Sequence, residues 1–312
     1  MASERKKQFN RSIAYIALRT FTALHNLLSL KGNYAWGKFL GTAVYSVLPH
    51  HRKTAMDSLA VAFPNASVKD RKKISKDFFI FMAQSGLEML YYLRHQKELN
   101  NVRIEGEQHL RAALAQKRGV VMVSAHIGNF PLMGLKLAQE GFPVNFVMRP
   151  MRDPKAGAYI QGLRDGTGVK TIYSYPRKEC VNGILKALRN NEIVIIQMDQ
   201  NFGTNGVWVK FFNELAATPT GPIVFAMRTN ALIVPAYIYC EGAGKHCIVI
   251  EPGETLIEKE DKDEMVLVNV AKFTRIMENW IRLHPHQWGW IHKRWKSRPD
   301  EKALKEKFIV EK

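Results

Sequence analysis

Between residues 102 and 239 the chain alternates short apolar runs with helix-length segments, and that alternation leaves few folds open. Val102–Glu105, Val120–Ser124, Val144–Met148 and residues 169–172, 193–198 and 232–239 have the length and the β-branched content of strands. Residues 108–116, 130–140, 155–163, 178–189 and 222–228 fill the gaps with helical spacing. Strands separated by helices of this length form crossover units, so the expected fold is α/β: a mixed, largely parallel central sheet flanked by helices. With 312 residues, 46% of them hydrophobic, the chain buries a large core without disulfide support. Cys180, Cys240 and Cys247 are odd in number and lack C-x-x-C spacing, which predicts reduced thiols, a cytosolic environment and no cysteine-based metal site.

Upstream of this region the pattern is helical throughout. Phe9, Ile13, Ile16, Ala17, Phe21, Leu24, Leu27 and Leu28 fall at helical spacing among Arg5, Lys6, Lys7, Arg11, Arg19 and Lys31. A second apolar stretch from Tyr34 to Leu48 carries Trp36, Tyr45 and one cation, Lys38. Arg19, His25 and Lys38 keep both stretches short of the roughly 20 uninterrupted apolar residues of a spanning helix. No signal peptide is recognisable. Residues 1–48 are therefore expected to be an amphipathic, membrane-associating helical segment, and residues 49–312 the α/β domain. Packing of the same helix on its own fold is the competing reading. Ser67 and Asp70 stand at capping-box spacing, with Asp for the usual Glu or Gln, and open a helix through Phe78, Phe79, Phe81, Met82, Leu87 and Leu90. Residues 258–264 read as a solvated turn leading into a helix.

The charge is lopsided, 46 Lys and Arg against 28 Asp and Glu for a net +18. That excess implies an anionic partner: a phospholipid surface, an acidic carrier protein, a phosphorylated substrate or nucleic acid. The run His292-Lys-Arg-Trp295-Lys296 is basic and aromatic, but no nucleic-acid motif accompanies it, so nucleic acid is not the expected partner.

His126 is the candidate chemical centre. It ends the apolar run Val120–Ser124 and precedes Gly128 and Asn129, a position on the rim of a sheet where ligands bind. A histidine satisfied by backbone partners in a tight turn is the plainer alternative. Two other strands end in polar groups that share this rim if the strands are parallel: Arg149-Pro150, and Asp199-Gln200-Asn201. A glycine-rich polar loop with Gly203 and Gly206 follows, apt to move over a site. After it come Phe211-Phe212 and Thr218-Pro-Thr-Gly221-Pro222, where a proline can open a helix whose free amides face an anion.

These landmarks occur in a recognisable order. Asp57-Ser-Leu-Ala-Val-Ala-Phe-Pro64, Ser124-Ala-His126-Ile-Gly-Asn-Phe130, Arg149-Pro150, Asp199-Gln200, Phe211-Phe212, Ala217-Thr-Pro219-Thr-Gly-Pro222, Val234-Pro235 and the segment from Glu278 to Trp295 span nearly the whole chain. In these the chain resembles the lipid A biosynthesis acyltransferases, within the lysophospholipid acyltransferase-like group. The resemblance implies transfer of a fatty acyl group from an acyl carrier protein thioester, or acyl-CoA, to a glycolipid hydroxyl at the cytoplasmic face of the inner membrane. The expected partners are acyl carrier protein, an anionic membrane surface and a glycolipid or phospholipid acceptor. No metal or cofactor is required. His126 is then the general base, and Gly128, Asn129, Arg149, Gln200, Thr218 and Gly221 are the candidate substrate-binding positions.

One departure stands out. The family pattern places an acidic residue five positions after the histidine, where it orients the imidazole; here that residue is Pro131. Three outcomes follow: another carboxylate takes the role, with Asp199 the first choice and Glu88 the second; a backbone carbonyl orients His126; or the protein binds lipid without transferring an acyl group. The acceptor is also open, with a lysophospholipid or an aminolipid as alternatives to a glycolipid.

Overall fold

The computed structural model describes residues 12, 15, 16, 18–25, 27–151, 153–203 and 206–299. Phe9, Ile13 and Ala17 of the first apolar series, and Arg5, Lys6, Lys7 and Arg11 beside them, lie outside the described residues. The α-helices Leu30–Val47 (α1), Pro49–Ala62 (α2) and Val68–Tyr92 (α3) lie ahead of the sheet. Then follow Val102–Glu105 (β1), Glu107–Ala115 (α4), Val120–Ser124 (β2), Phe130–Gln139 (α5), Val144–Met148 (β3), Pro154–Arg164 (α6), Lys170–Tyr173 (β4), Arg177–Arg189 (α7) and Ile193–Gln197 (β5). The remainder comprises Val207–Phe211 (β6), Glu214–Thr218 (β7), Gly221–Thr229 (α8), Leu232–Gly242 (β8), Lys245–Ile250 (β9) and Lys262–Leu283 (α9).

Seven strands form one sheet in the order β1-β9-β8-β2-β5-β3-β4. Strands β8, β2, β5, β3 and β4 are mutually parallel, and β9 runs antiparallel to β8 while pairing parallel with β1. The sheet is therefore mixed and largely parallel, as the alternation predicts. Every residue of β2 is buried, because helices cover both faces of a parallel sheet. Its odd-numbered side chains, Val121 and Val123, join a core with α2, α7, α8 and α9; Val120 and Met122 join a second core with α4 and α5.

Strands β6 and β7 were not expected. They form a separate hairpin whose two-residue turn, Phe212 and Asn213, has φ of 52° and 67°. Such a turn usually announces itself with Asn-Gly or Asp-Gly, and here Phe212 holds the first position instead. Burial explains it: Phe212 packs edge-on against Phe63 and lies under the Arg282 guanidinium, 4.6 Å from its ring centre.

Ser67 caps α3, accepting a hydrogen bond from the Asp70 amide at 3.1 Å. Helix α1 lies against α3 at a glycine: a Cβ on Gly41 would stand 2.4 Å from the Ile80 Cα. Its outer face leaves Trp36, Phe39, Val47 and Leu48 exposed, continuous in sequence with exposed Leu24 and Leu27. Among the described residues no helix is long and apolar enough to cross a membrane.

Candidate active site

Parallel pairing of β2 with β5 runs from Val120 opposite Ile193 to Ser124 opposite Gln197. His126 and Asp199 lie two residues beyond those ends, so the register alone brings them face to face. The contact is twofold. His126 Nδ1 is 2.8 Å from Asp199 Oδ1, and the His126 amide donates to Oδ2 at 2.9 Å. The Trp288 indole also donates to Oδ2, at 2.7 Å.

Solvation divides the pair. The Asp199 side chain is 1% exposed and that of His126 28% exposed. Burial disfavours the Asp199 anion, but the His126 charge and the hydrogen bonds from His126 and Trp288 outweigh it and hold the carboxyl down to about 2. Burial likewise disfavours the imidazolium, and the Asp199 charge and hydrogen bond overcome it, raising His126 above its ordinary value. With Nδ1 on Asp199, the tautomer is set and Nε2 has no partner among the described residues.

The His126 ring opens on a cleft of about 480 Å³ lined by Phe130, Leu135, Phe146, Met148, Ile160 and Val169, with Arg149 and Gln200 at its polar positions. Among the described residues no Asp or Glu lines it, whereas Arg149 and Arg164 both do. Among the described residues, the Arg164 guanidinium donates only to the Met148 thioether, and burial lowers its basicity against the opposing influence of Tyr173. An apolar cleft with cations and a partly exposed histidine suits a long-chain ligand with an anionic or polarised head.

Pro131 also lines this cleft, in the first turn of α5, where its missing amide is no loss. The carboxylate that His126 meets is Asp199. Glu88, the second candidate, is fully buried and accepts from Tyr34 Oη at 2.6 Å, His246 Nε2 at 2.8 Å and Asn129 Nδ2 at 2.9 Å. It therefore holds the turn after His126 through Asn129.

The other expected positions divide. Gly128 adopts φ of +62°, and a Cβ there would sit 1.9 Å from the Ile238 carbonyl oxygen, so only glycine fits. Its amide donates to the Gln287 carbonyl at 3.0 Å and is not free for a substrate oxyanion. The Asn129 side chain is committed to Glu88 and the Ser85 carbonyl. Thr218 and Gly221 do not line the cleft. Thr218 is fully buried and accepts from Arg294, so the expected anion site at the start of α8 is not joined to His126. Among the described residues no group of three or more His, Cys, Asp or Glu side chains is placed to hold a metal ion.

The carboxyl-terminal segment reaches the site, which the sequence did not announce. Trp288 binds Asp199, His292 Nε2 accepts from the Asn201 amide at 2.9 Å, and Arg294 donates to the Gln200 and Ala217 carbonyls. The signals that could have found it are its density of tryptophan and its place among the landmarks that carry the family resemblance. Arg294 and Trp295 are buried while Lys293 and Lys296 are exposed, so the run is split between the core and the surface.

A sequence profile of the bacterial lipid A biosynthesis acyltransferases matches residues 6–297. The chain belongs to this family. It is 26% identical over 272 residues to the lipid A biosynthesis lauroyltransferase of Escherichia coli K12, covering 86% of each chain. The lipid A biosynthesis palmitoleoyltransferase of the same organism is 24% identical over 84% of this chain and 85% of its own length. A phosphatidylinositol mannoside acyltransferase of Mycobacterium tuberculosis is 26% identical over 65% of this chain and 63% of its own. Among solved structures, a 1-acyl-sn-glycerophosphate acyltransferase from Thermotoga maritima aligns with 84% of this chain and 98% of its own at 14% identity and a TM-score of 0.36. Membership makes the chain an acyltransferase by family, with lipid A biosynthesis as the family's setting.

Proposed function

We propose that this protein is a membrane-associated O-acyltransferase that moves a fatty acyl chain from a thioester, acyl carrier protein first and acyl-CoA second, to a hydroxyl of a glycolipid such as a lipid A precursor. The observation that carries the reading is the His126–Asp199 pair, with Nε2 unpartnered among the described residues at the rim of an apolar cleft. The names of the relatives, lipid A and phosphatidylinositol mannoside acyltransferases, favour a glycolipid over a lysophospholipid or an aminolipid.

A hydroxyl attacks a thioester only as it loses its proton. His126 Nε2 takes that proton while the acceptor oxygen bonds to the thioester carbon, and Asp199 stabilises the imidazolium that forms. The carbonyl oxygen becomes an oxyanion, for which the Arg149 guanidinium is the donor in the cleft; one such donor is worth about 3 kcal/mol of barrier. Collapse breaks the carbon–sulfur bond, and the leaving thiolate takes the proton from His126. No acyl-enzyme, metal or cofactor enters this sequence. Arg164 and Arg149 suit a phosphate on the donor arm or on the acceptor.

The exposed apolar face of α1, set in a chain of net charge +18, suits the anionic cytoplasmic surface of the inner membrane. Lipid binding without transfer, suggested by Pro131, loses its motive once Asp199 stands beside His126. The test is release of free carrier thiol when purified protein meets an acyl carrier thioester and lipid A precursor. Tight lipid binding with no transfer across a panel of donors and acceptors would instead favour the non-catalytic reading.

A further inference from the structure

Asp199 has two oxygens and three donors. Two donors belong to His126 itself, its amide on Oδ2 and its ring on Oδ1; the third is the Trp288 indole on Oδ2. Trp288 is 1% exposed and wedged between Trp290, at 4.7 Å between ring centres, and Phe211, at 5.6 Å. An isolated bridge joins its backbone to Ile127, next to His126. The flanking residues fasten the same segment to both loops. Gln287 accepts the Gly128 amide through its carbonyl and pairs its side chain with both backbone groups of Cys240 on β8. Beyond Trp288, His292 and Ser297 take hydrogen bonds from Asn201.

We infer that Trp288 is a positioning residue of the dyad: its indole N–H fixes the Asp199 carboxylate and shares its charge, and so sets how firmly Asp199 holds a proton on His126. A base must be neutral to work, and a carboxylate that pulls too hard leaves it protonated. With Trp288 drawing on Oδ2, the pull at Oδ1 is moderated and Nε2 is freed of its proton at a lower pH than it would be without that bond. The inference rests on the reading of His126 as the base, but its first test needs no substrate.

The test is Trp288→Phe, which keeps the packed ring and removes only the N–H. In protein carrying isotope-labelled histidine, the His126 resonance, assigned with His126→Gln, should titrate at a pH higher by about half a unit to one unit, since a neutral hydrogen bond is worth about that much. Trp295→Phe, which removes the indole bond to the Phe211 carbonyl from the same segment, should leave that titration in place. With substrates, Trp288→Phe should lower kcat about 3- to 10-fold at neutral pH with little change in KM, and raising the pH should recover the rate, whereas a structural defect would persist at every pH. If the variant does not fold, the wild-type indole N–H resonance of Trp288 serves: it should follow the His126 titration. An unmoved His126 titration in folded Trp288→Phe, a loss that higher pH does not recover, or a Trp288 resonance insensitive to pH would overturn the inference. Wild-type protein inactive on every substrate would count against the acyltransferase reading and leave the titration to decide the role of Trp288.

Discussion

Asn129 donates to Glu88 at 2.9 Å across 41 positions of sequence, and this bond separates the two buried carboxylates near His126 by role. Asp199 faces the imidazole; Glu88 faces the turn that carries it. Their substitutions should therefore differ in kind.

Asp199→Asn should act on turnover. An amide cannot stabilise the imidazolium as a carboxylate does, and it presents N–H groups where the native residue accepts. Turnover should fall about 10²- to 10⁴-fold, the usual span for a general base, with KM little changed. The activity limb set by His126 should move to lower pH, because the charge that raises its pKa is gone. Carrier-thiol release measured across pH checks both.

Glu88→Ala should act on stability. It strands the Tyr34, His246 and Asn129 donors in the core, a loss of about 3–5 kcal/mol by analogy with other broken buried pairs. Tyr34→Phe, which removes a single donor, should cost about 1 kcal/mol. Urea unfolding of the three proteins gives the comparison.

Activity and the stability contributed by the dyad should run in opposite directions with pH. His126 is raised by Asp199, so its stabilisation is complete below the ordinary histidine value and is lost as pH rises through the raised one. Asp199 is lowered to about 2, so its share is present above the ordinary carboxylate value and is lost only as pH falls toward 2. Turnover needs neutral His126 and should rise over the same interval in which the histidine's share of stability falls. Unfolding free energies and rates measured on matched samples test the opposition.

Membrane binding should reside in the outer face of α1. Phe39 is 61% exposed and Val47 72% exposed, and burying a side chain of either kind in lipid is worth about 1.5–3 kcal/mol. Phe39→Asp together with Val47→Asp should weaken co-sedimentation with anionic vesicles at least about 10-fold and leave the urea midpoint unchanged, as neither side chain is buried.

The strands and the site candidates were legible for different reasons. β2 reads as a strand because both faces are covered and nothing interrupts its apolar run. His126 and Asp199 read as candidates because each ends such a run, but their meeting depends on β2 and β5 being neighbours, with β3 and β4 between them in sequence; single-chain periodicity does not encode that adjacency. The β6–β7 hairpin escaped because Phe212 occupies a left-handed turn position on account of its packing. The contacts of Trp288 and Arg294 are not legible because their partners lie 89 and 76 positions away. Gly128 is legible as a glycine ending a buried run, but the engagement of its amide is not, since the Gln287 carbonyl that takes it comes from far along the chain.

The central claim is that His126 removes a proton from an acceptor hydroxyl during acyl transfer. Its most direct test is single-turnover transfer from acyl carrier thioester to lipid A precursor by wild-type protein and His126→Ala, following acylated lipid and free carrier thiol together. The account predicts equal amounts of both products from the wild type and a rate lower by about 10²-fold or more in the variant. Unchanged transfer by His126→Ala would contradict it.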